Sequence, residues 1–286
     1  MEKFEKSELV SIVIRSKNEE KFIGKVLEKI FSQKIDFSFE VIVIDSGSKD
    51  KTLEIGKKFP IRIYQIPARK FTFGYALNYG VKLSNGEYIV FLSAHAIPEN
   101  DKWLKSLIVP LVKNENVLAT YGKQKPVLGL NPLEEMELLA WFSDKNPKCI
   151  FSNANCAIKK EILYKFPFDE NILSSEDRLW ALKLPAEFKI EYVPSASVFH
   201  SHHLSWKYWM KRFYIDGWSK QYMKRKINLA NKRFKILDYP FYCYNLSIYL
   251  LKHKYFYHLL FSYPLYIFIK PICYISGVFS YKFLRK

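Results

Sequence analysis

The sequence has few cysteines and no long uninterrupted apolar run. Its four cysteines, Cys149, Cys156, Cys243 and Cys273, form no CxxC pair and have no zinc-ligand spacing. The first apolar run, Leu9 to Ile14, is too short to be the core of a secretory signal. These absences exclude a disulfide scaffold and a zinc finger, and they predict reduced cysteines that fill the core of a cytosolic protein.

Acidic residues are scarce in the last part of the chain. From Leu204 to Lys286 there are sixteen Lys and Arg residues but only Asp216 and Asp238, so this region carries +14 of the total net charge of +17. Its basic residues are interleaved with aromatic runs such as Tyr255 to Phe261, which suit the surface of an anionic bilayer better than a nucleic acid. We expect a membrane surface as a partner and no nucleic acid; the alternative is a solvated helical face packed on the body.

The same region lacks a segment that could cross a bilayer. Lys252, Lys254, Pro264 and Lys270 interrupt every apolar window of about twenty residues, the length that a spanning helix needs. We therefore predict interfacial helices between Tyr239 and Lys286. The composition predicts a catalytic domain at residues 1–204 and a basic, aromatic-rich helical region at residues 205–286 that associates with membranes.

Short apolar segments alternate with amphipathic ones in the first half of the chain. Strands that alternate with helices predict an α/β fold with a mostly parallel sheet covered on both faces, in which ligands bind beyond the carboxyl ends of the strands. The predicted strands are Leu9–Arg15, Phe39–Ile44, Ile61–Ile66, Glu87–Leu92, Val117–Gln124, Ile150–Ile158, Lys189–Val193 and Ala196–Phe199. The predicted helices are Glu19–Gln33, Thr52–Phe59, Tyr75–Leu83, Asp101–Lys113 and Ser174–Ala186, with one or two long basic helices over Ser205–Lys235.

Polar side chains follow the second predicted strand. Asp45 comes directly after Val41 to Ile44, and Gly47 allows a tight turn behind it. A helix-capping turn explains Ser48 and Asp50, but it explains Asp45 less well. Asp45 is therefore a candidate for ligand binding.

Two further polar groups are candidates for chemistry. Glu176 and Asp177 open a predicted helix, where an acid pair commonly does no more than cap the helix. The aromatic residues around them, such as Phe168 and Trp180, favour a general base held beside an aromatic wall. His200 ends the last predicted strand, and its imidazole could hold a cation or phosphate oxygens.

A series of motifs runs in order from Leu9 to Gly217. It comprises Ser11–Glu19, Val43–Thr52, Asn78–Gly80, Asn85–Leu92, Pro98, Trp103-Leu104, Tyr121–Pro126, Ser152–Asn155, Glu176-Asp177 and His200. Each motif alone is weak evidence, but together and in this order they resemble the family 2 glycosyltransferases. The later motifs are most similar to the branch that includes bacterial rhamnosyltransferases of surface polysaccharide synthesis.

This resemblance implies a GT-A fold, a Rossmann-like nucleotide-binding sheet. It implies an inverting enzyme that transfers a sugar from a UDP- or dTDP-linked donor to a hydroxyl of a saccharide or lipid-linked acceptor. Such an enzyme would work in the cytoplasm at the inner face of the cell membrane. The sequence leaves open the donor sugar and base, the acceptor, the linkage and the oligomeric state.

Roles for single residues also follow from the resemblance. Asp177 corresponds to the base that deprotonates the acceptor, with Glu176 beside it as support. The residues implied in donor binding are Ser16, Asn18, Glu19, Asp45, Ser46, Lys70, Asn78, Ser93, Ala94 and His95. Those implied in acceptor binding are Lys123, Gln124, Asn153, Asn155 and Trp180.

The sequence departs from the family pattern where the fourth strand ends. Family members have Asp-x-Asp there, which holds Mg²⁺ or Mn²⁺ against the donor diphosphate, whereas this chain has Ser93-Ala94-His95. Either His95 and His200 share a metal, or protein cations replace it, and we favour a retained but weaker metal site. The candidate cations are Arg69, Lys70 and Lys123. An arginine common before the Asn-x-Gly step is Leu77 here, which removes one donor contact.

Two other functions fit parts of the sequence. A nucleotidyltransferase would have a glycine-rich loop straight after the first strand, but no glycine precedes Gly24. A non-catalytic protein that binds membranes or nucleic acid would explain Ser93 and His95 as the remains of a decayed site. The retained Asp45, Glu176 and Asp177 favour the enzyme.

Overall fold

The described chain divides into two units. The computed structural model describes residues 9–128, 132–144, 147, 149–200, 202, 206–227 and 270–283. Unit 1 contains the residues up to Lys125, Trp141–Asn171 and Glu176–His200. Unit 2 contains Pro126–Ala140, Ile172–Ser175 and the residues from Ser201 onward. Two segments of the predicted first domain thus group with the C-terminal region, and the ranges 1–204 and 205–286 as functional domains stay a prediction.

Unit 1 is built on an eight-stranded mixed sheet with the order β3-β2-β1-β4-β7-β6-β8-β5. The strands are β1 (Leu9–Ser16), β2 (Ser38–Asp45), β3 (Arg62–Gln65), β4 (Tyr88–Ser93), β5 (Ala96–Pro98), β6 (Val117–Lys125), β7 (Asn155–Lys159) and β8 (Lys189–His200). β3, β2, β1 and β4 are parallel, whereas β7 runs antiparallel to both β4 and β6. The α/β class is as predicted, and the half of the sheet formed by β3, β2, β1 and β4 is parallel.

Helices cover both faces of this sheet. They are α1 (Ile23–Phe31), α2 (Thr52–Gly56), α3 (Phe73–Leu83), α4 (Trp103–Lys113), α6 (Lys160–Lys165) and α7 (Glu176–Lys183), with a 3-10 turn at Ala68–Lys70. Ile12 and Ile14 of β1 share a core with α1 and α4. Val13 points to the other face, where it contacts Gly80 of α3 so closely that a β-carbon there would lie 2.4 Å from Val13 Cγ1. The alternation along β1 thus places a helix layer on each side.

The structure corrects several predicted boundaries. α1 begins at Ile23 rather than Glu19, and the residues between them form a turn in which the Glu19 carbonyl accepts from the backbone N of Phe22 and of Ile23. The strand predicted at Ile150–Ile158 is β7 alone, Asn155–Lys159. The two strands predicted between Lys189 and Phe199 are one, β8. α7 is shorter than predicted, and its first residues are the acid pair.

Unit 2 contains three described helices. α5 lies mainly in it (Pro132–Trp141), and α8 (Trp206–Lys226) and α9 (Lys270–Phe283) belong to it entirely. α8 and α9 cross with their backbones in contact, since a β-carbon on Gly217 or on Gly277 would lie 2.0 Å from a carbonyl oxygen of the other helix. The predicted helix Ser205–Lys235 corresponds to α8 up to Lys226, and most of the predicted interfacial tail lies outside the described residues. Among the described residues, no helix is both long and apolar enough to span a membrane.

Candidate active site

The predicted ligand-binding residues at the ends of β1, β2 and β4 are neighbours in the sheet. In the strand register, Ser16 pairs with Asp45 of β2, and Arg15 pairs with Ser93 of β4. Arg15 also reaches the first turn of α7, where its Nη1 lies 3.7 Å from Oε1 of Glu176. Residues that are far apart in the sequence therefore meet at one edge of the unit 1 sheet.

The residues from Asp45 to Ser48 form a turn that we call the Asp45 turn. Asp45 is fully buried, and its Oδ1 accepts hydrogen bonds of 2.9 Å from the backbone N–H groups of Gly47 and Ser48. The Ser48 hydroxyl donates to Oδ2 of Asp45. Gly47 has φ 89°, in the region that glycine adopts most easily. The Asp45 carboxylate thus holds the turn together through hydrogen bonds from the residues that follow it.

Asn18 joins this turn to the loop after β1. Its Oδ1 accepts from the backbone N of Lys49 at 2.8 Å, and its backbone N donates to Ser48 Oγ at 2.7 Å. Asn18 has φ 55°, which asparagine tolerates better than most residues. Ser46 is bonded to the same loop through its backbone N, which donates to the carbonyl oxygen of Ser16 at 3.0 Å. The predicted nucleoside-binding residues therefore form one hydrogen-bonded pair of loops.

A second group of residues, which we call the Glu176 cluster, comprises Arg15, Asn153, Glu176 and Asp177. Asn153 Oδ1 accepts from Arg15 Nη2 at 2.9 Å, and its Nδ2 donates to Glu176 Oε1 at 2.7 Å. Its backbone N lies 3.3 Å from Asp177 Oδ2, to which it donates. Asn153 thus contacts the arginine and both carboxyl groups.

Both carboxyl groups of this cluster hold protons more tightly than usual. Burial raises the pKa of Glu176 to about 7, and the nearby charge of Asp177 acts in the same direction. Burial also raises the pKa of Asp177, although its side chain is only partly covered. Hydrogen bonds from the backbone N of Arg178 and of Asn153, and the charge of Arg15, oppose the shift at Asp177. A carboxyl that exchanges its proton near neutral pH suits acid–base chemistry.

Arg15 is the residue of this site that the sequence analysis did not select. Its side chain is 12% exposed, and its guanidinium lies over the Phe73 ring at 4.9 Å. The signal was present in the sequence, because a charged residue directly follows the buried run Ser11 to Ile14. A charge at that point of a parallel strand is placed at the ligand-binding edge.

His95 and His200 lie side by side at the edge formed by β5 and β8. Their rings stack with centroids 4.8 Å apart, and His95 Nδ1 lies 2.8 Å from Glu19 Oε1. A histidine that binds a metal usually donates its other ring nitrogen to a carboxylate, and the Glu19–His95 pair has that arrangement. Two imidazoles suit Mg²⁺ poorly, since it prefers oxygen ligands, and they suit a transition metal such as Mn²⁺ better. The residues therefore fit a transition metal better than Mg²⁺.

Several other predicted residues have their polar groups occupied within the fold. Asn155 accepts from Trp103 Nε1 and donates to the Ala196 carbonyl. Asn78 exchanges hydrogen bonds with the backbone of Phe168 and donates to Glu170. Trp180 is buried and donates to the Phe166 carbonyl. These contacts give the three residues a packing function, and their contact with substrate stays a prediction.

The remaining predicted residues differ in exposure and in their contacts. Lys123 forms an ion pair of 2.8 Å with Asp144, and Gln124 donates to Ser152 Oγ at 2.9 Å. Lys70 is exposed at the end of the 3-10 turn. Ala94 is buried next to Ser93. Their roles in binding stay predictions.

Known proteins resemble this chain in sequence. A family described as Glycosyl transferase family 2 matches residues 11–173. The O-antigen chain rhamnosyltransferase RfbN of Salmonella typhimurium is 28% identical over 225 residues, which cover 73% of this chain and 71% of that protein. A dolichyl N-acetyl-alpha-D-glucosaminyl phosphate 3-beta-D-2,3-diacetamido-2,3-dideoxy-beta-D-glucuronosyltransferase of Methanococcus voltae is 39% identical over 126 residues, 40% of this chain and 38% of that protein. The match thus spans well under half of that relative's length.

Solved structures resemble it in fold. A mannosyltransferase of Pyrobaculum calidifontis, PcManGT in complex with GDP-Man and Mn²⁺, superposes with a TM-score of 0.63 at 17% identity, covering 97% of this chain and 88% of that one. The glucosyl-3-phosphoglycerate synthase of Mycobacterium tuberculosis superposes with a TM-score of 0.59 at 19% identity, covering 78% and 81%. These similarities confirm the predicted GT-A fold. By its sequence motifs, its fold and the residues that meet at the edge of its sheet, this chain belongs to glycosyltransferase family 2.

Proposed function

We propose that this chain transfers a sugar from a nucleotide-diphosphate donor to an acceptor hydroxyl, with inversion at the anomeric carbon. The observation that carries the proposal is the meeting of the Asp45 turn and the Glu176 cluster on consecutive residues of β1, since Ser16 pairs with Asp45 and Arg15 contacts Glu176. A nucleoside-binding turn and a base would then lie on either side of the donor's reacting carbon. The similarity to rhamnosyltransferases and to an enzyme acting on a dolichyl-linked sugar supports a saccharide or lipid-linked saccharide as acceptor.

The chain's own residues would carry the reaction as follows. The Asp177 carboxylate accepts the proton of the acceptor hydroxyl, and the freed oxygen forms a bond to the anomeric carbon from the face opposite the diphosphate. The bond between that carbon and the diphosphate oxygen breaks, and the nucleoside diphosphate leaves with the electron pair. Asp45 and Asn18 hold the nucleoside, and Glu176 supports Asp177 from its buried position.

His95 and His200 would hold a metal, with Glu19 orienting His95. When bound, a divalent ion there would neutralise charge on the donor diphosphate. This assignment can be tested without an activity assay, by measuring Mn²⁺ and Mg²⁺ binding by calorimetry and Mn²⁺ binding by electron paramagnetic resonance. We expect Mn²⁺ to bind more tightly than Mg²⁺ and His95→Ala to abolish binding. Equal Mn²⁺ affinity in wild type and His95→Ala would instead favour protein cations such as Lys70.

A screen of nucleotides and nucleotide sugars tests the proposed activity. Thermal shift with UDP, dTDP and GDP should identify the base, and the matching nucleotide sugars should then be consumed when saccharide acceptors are added. Asp36→Asn is a matched control, because Asp36 forms an exposed ion pair with Lys105. If no nucleotide stabilises the protein and no donor is consumed, the non-catalytic alternative replaces the enzyme.

We also propose that the C-terminal region attaches the protein to an anionic membrane surface from the cytoplasmic side. Its +14 net charge supports this, as do the exposed side chains of Ile272 and Ile275 on α9. Flotation with phosphatidylglycerol vesicles and with neutral phosphatidylcholine vesicles tests it. We expect binding to the anionic vesicles only, weakened in Ile272→Ser/Ile275→Ser. If the protein binds neither type of vesicle, the alternative holds, in which this region packs on the rest of the chain.

A further inference from the structure

The guanidinium of Arg15 is held rigidly at the ligand-binding edge. Phe73 stacks on it, with 4.9 Å from Cζ to the ring centroid, and Asn153 accepts from Nη2 at 2.9 Å. Its other nitrogen, Nη1, is buried and has no hydrogen-bond partner among the described residues. Since a guanidinium keeps its charge throughout the physiological pH range, a permanent positive charge is fixed at this point, with both N–H groups of Nη1 unused among the described residues.

That charge is directed at the acid pair rather than at solvent. Nη1 lies 3.7 Å from Glu176 Oε1, within ion-pair range but beyond hydrogen-bond length. Asn153 fills the gap, because one end of its amide holds Arg15 and the other donates to that same Glu176 oxygen at 2.7 Å. The backbone N of Asn153 then reaches Asp177 Oδ2. One asparagine thus ties the arginine to both acids.

We propose that Arg15 and Asn153 are positioning residues that hold the Glu176 and Asp177 carboxyl groups and favour their ionised forms, so that the pair keeps at most one proton, on Glu176, and Asp177 is free to accept another. The inference rests on the proposed function, in which Asp177 is the base. Without the fixed charge, two neighbouring buried carboxyl groups would repel each other and both would retain protons near neutral pH. A protonated Asp177 could not accept the proton of an acceptor hydroxyl.

The surroundings of the pair support this order of ionisation. The charged and titratable groups that face it are Arg15 from β1, Arg178 on α7, Cys149, and Cys156 of β7. Burial raises the pKa of both thiols. Among these groups, the charge of Arg15 lowers the pKa of both acids, whereas Arg178 acts on Asp177 through its backbone N–H. Glu176 is the more deeply buried acid, whereas Asp177 accepts two backbone N–H groups that stabilise its charged form.

Carbon-13 NMR titration of labelled Asp and Glu carboxyl groups tests the proposal without any acceptor. Glu176→Gln and Asp177→Asn assign the two signals. In Arg15→Met we expect the midpoints of both groups to rise by about one pH unit, since an opposite charge at this distance typically lowers a carboxyl pKa by 1–3 units. Arg15→Lys keeps the charge, so its two midpoints should lie close to those of the wild type. Unchanged midpoints in Arg15→Met would overturn the proposal.

Asn153→Ala provides the second, independent variant. It should raise the Glu176 midpoint because it removes the hydrogen bond to Oε1, and this result decides the question if Arg15→Met does not fold. An unchanged Glu176 midpoint would then overturn the proposal. In the same variants, the acid limb of the pH profile of donor turnover should shift to higher pH. The titration does not depend on catalysis, so it tests the positioning role alone. The proposed function is tested separately, and it would be wrong if Asp177→Asn left donor turnover intact.

Discussion

The Asp45 turn and the Glu176 cluster lie at the same edge of one sheet, yet they treat buried charge in opposite ways. The Asp45 carboxylate receives three hydrogen bonds from its own loop. In the Glu176 cluster, two acids and one arginine share a single asparagine, and Arg15 Nη1 has no hydrogen-bond partner among the described residues. The Asp45 turn has its hydrogen bonds in place before any ligand binds. In the Glu176 cluster, the repulsion between the two acids remains, and binding of a proton or a substrate would change it.

The largest expected effect comes from removing the proposed base. Asp177→Asn keeps the shape of the side chain but cannot accept a proton, so transfer should fall by ~10²–10⁴-fold. Nucleotide affinity should change little, because the Asp45 turn is untouched. Donor consumption and thermal shift with the preferred nucleotide measure both quantities, with Asp36→Asn as the control. Loss of nucleotide binding together with transfer would show that Asp177 acts as a structural helix cap.

Neutralising the buried Glu176 should stabilise the protein in a pH-dependent way. The pKa of Glu176 is about 7 in the folded protein against 4.5 for an ordinary glutamate, so its ionisation costs stability as the pH rises from 4.5 to 7. Glu176→Gln can still accept from Asn153 and has no charge to bury. Its stability advantage should therefore grow over that range and reach on the order of 3 kcal/mol above it.

Urea denaturation at pH 5 and pH 8 measures this difference. Glu170→Gln is a suitable control, because Glu170 is exposed and should show no such trend. A Glu176→Gln protein with the same relative stability at both pH values would mean that Glu176 stays ionised, and the contrast between the two sites would disappear.

The Asp45 turn should respond differently to the same kind of change. Asp45→Asn keeps an oxygen for the backbone N–H groups of Gly47 and Ser48, so the loop should fold and the thermal midpoint should change little. If the carboxylate contacts the nucleoside, affinity should drop by about tenfold, the value of one charge-assisted hydrogen bond. Nucleotide titration by calorimetry measures it, and Asp45→Ala should lose the turn as well. Unchanged affinity in Asp45→Asn would leave Asp45 with a purely structural role.

The fold could be predicted from the sequence because its signals are local. The β-branched runs of β1 and β2 and the helical spacing of Phe22, Val26 and Ile30 need no tertiary context. Boundaries were wrong where loop contacts set the path of the chain, as in the turn before α1, where the backbone N–H groups of Glu19 and Glu20 donate to Thr52 and Asp50. The antiparallel insertion of β7 next to β4 also depends on long-range pairing that no local pattern reveals.

The site was predictable only in part, for a related reason. Sequence position selects residues at the ends of strands and the starts of helices, and so identified Asp45 and the acid pair. It cannot show which polar groups already form hydrogen bonds within the fold. Asn155 is an example, because its amide bonds to Trp103 and Ala196. Sequence position does place Arg15 at the ligand-binding edge, but it cannot show the contact with Asn153, 138 residues away.

The smallest expected effect tests whether the Asp45 turn is as self-sufficient as its hydrogen bonds indicate. Ser48→Ala removes the hydroxyl that donates to Asp45 and accepts from the backbone N of Asn18. Because Gly47 and Ser48 still donate their backbone N–H groups to Asp45, the loss should be about 1 kcal/mol, and nucleotide affinity should hardly change. Urea denaturation and calorimetry check both, with the exposed Ser38→Ala as control. A large loss of affinity would mean that the turn, like the Glu176 cluster, depends on a single side chain, and would remove the difference between the two sites.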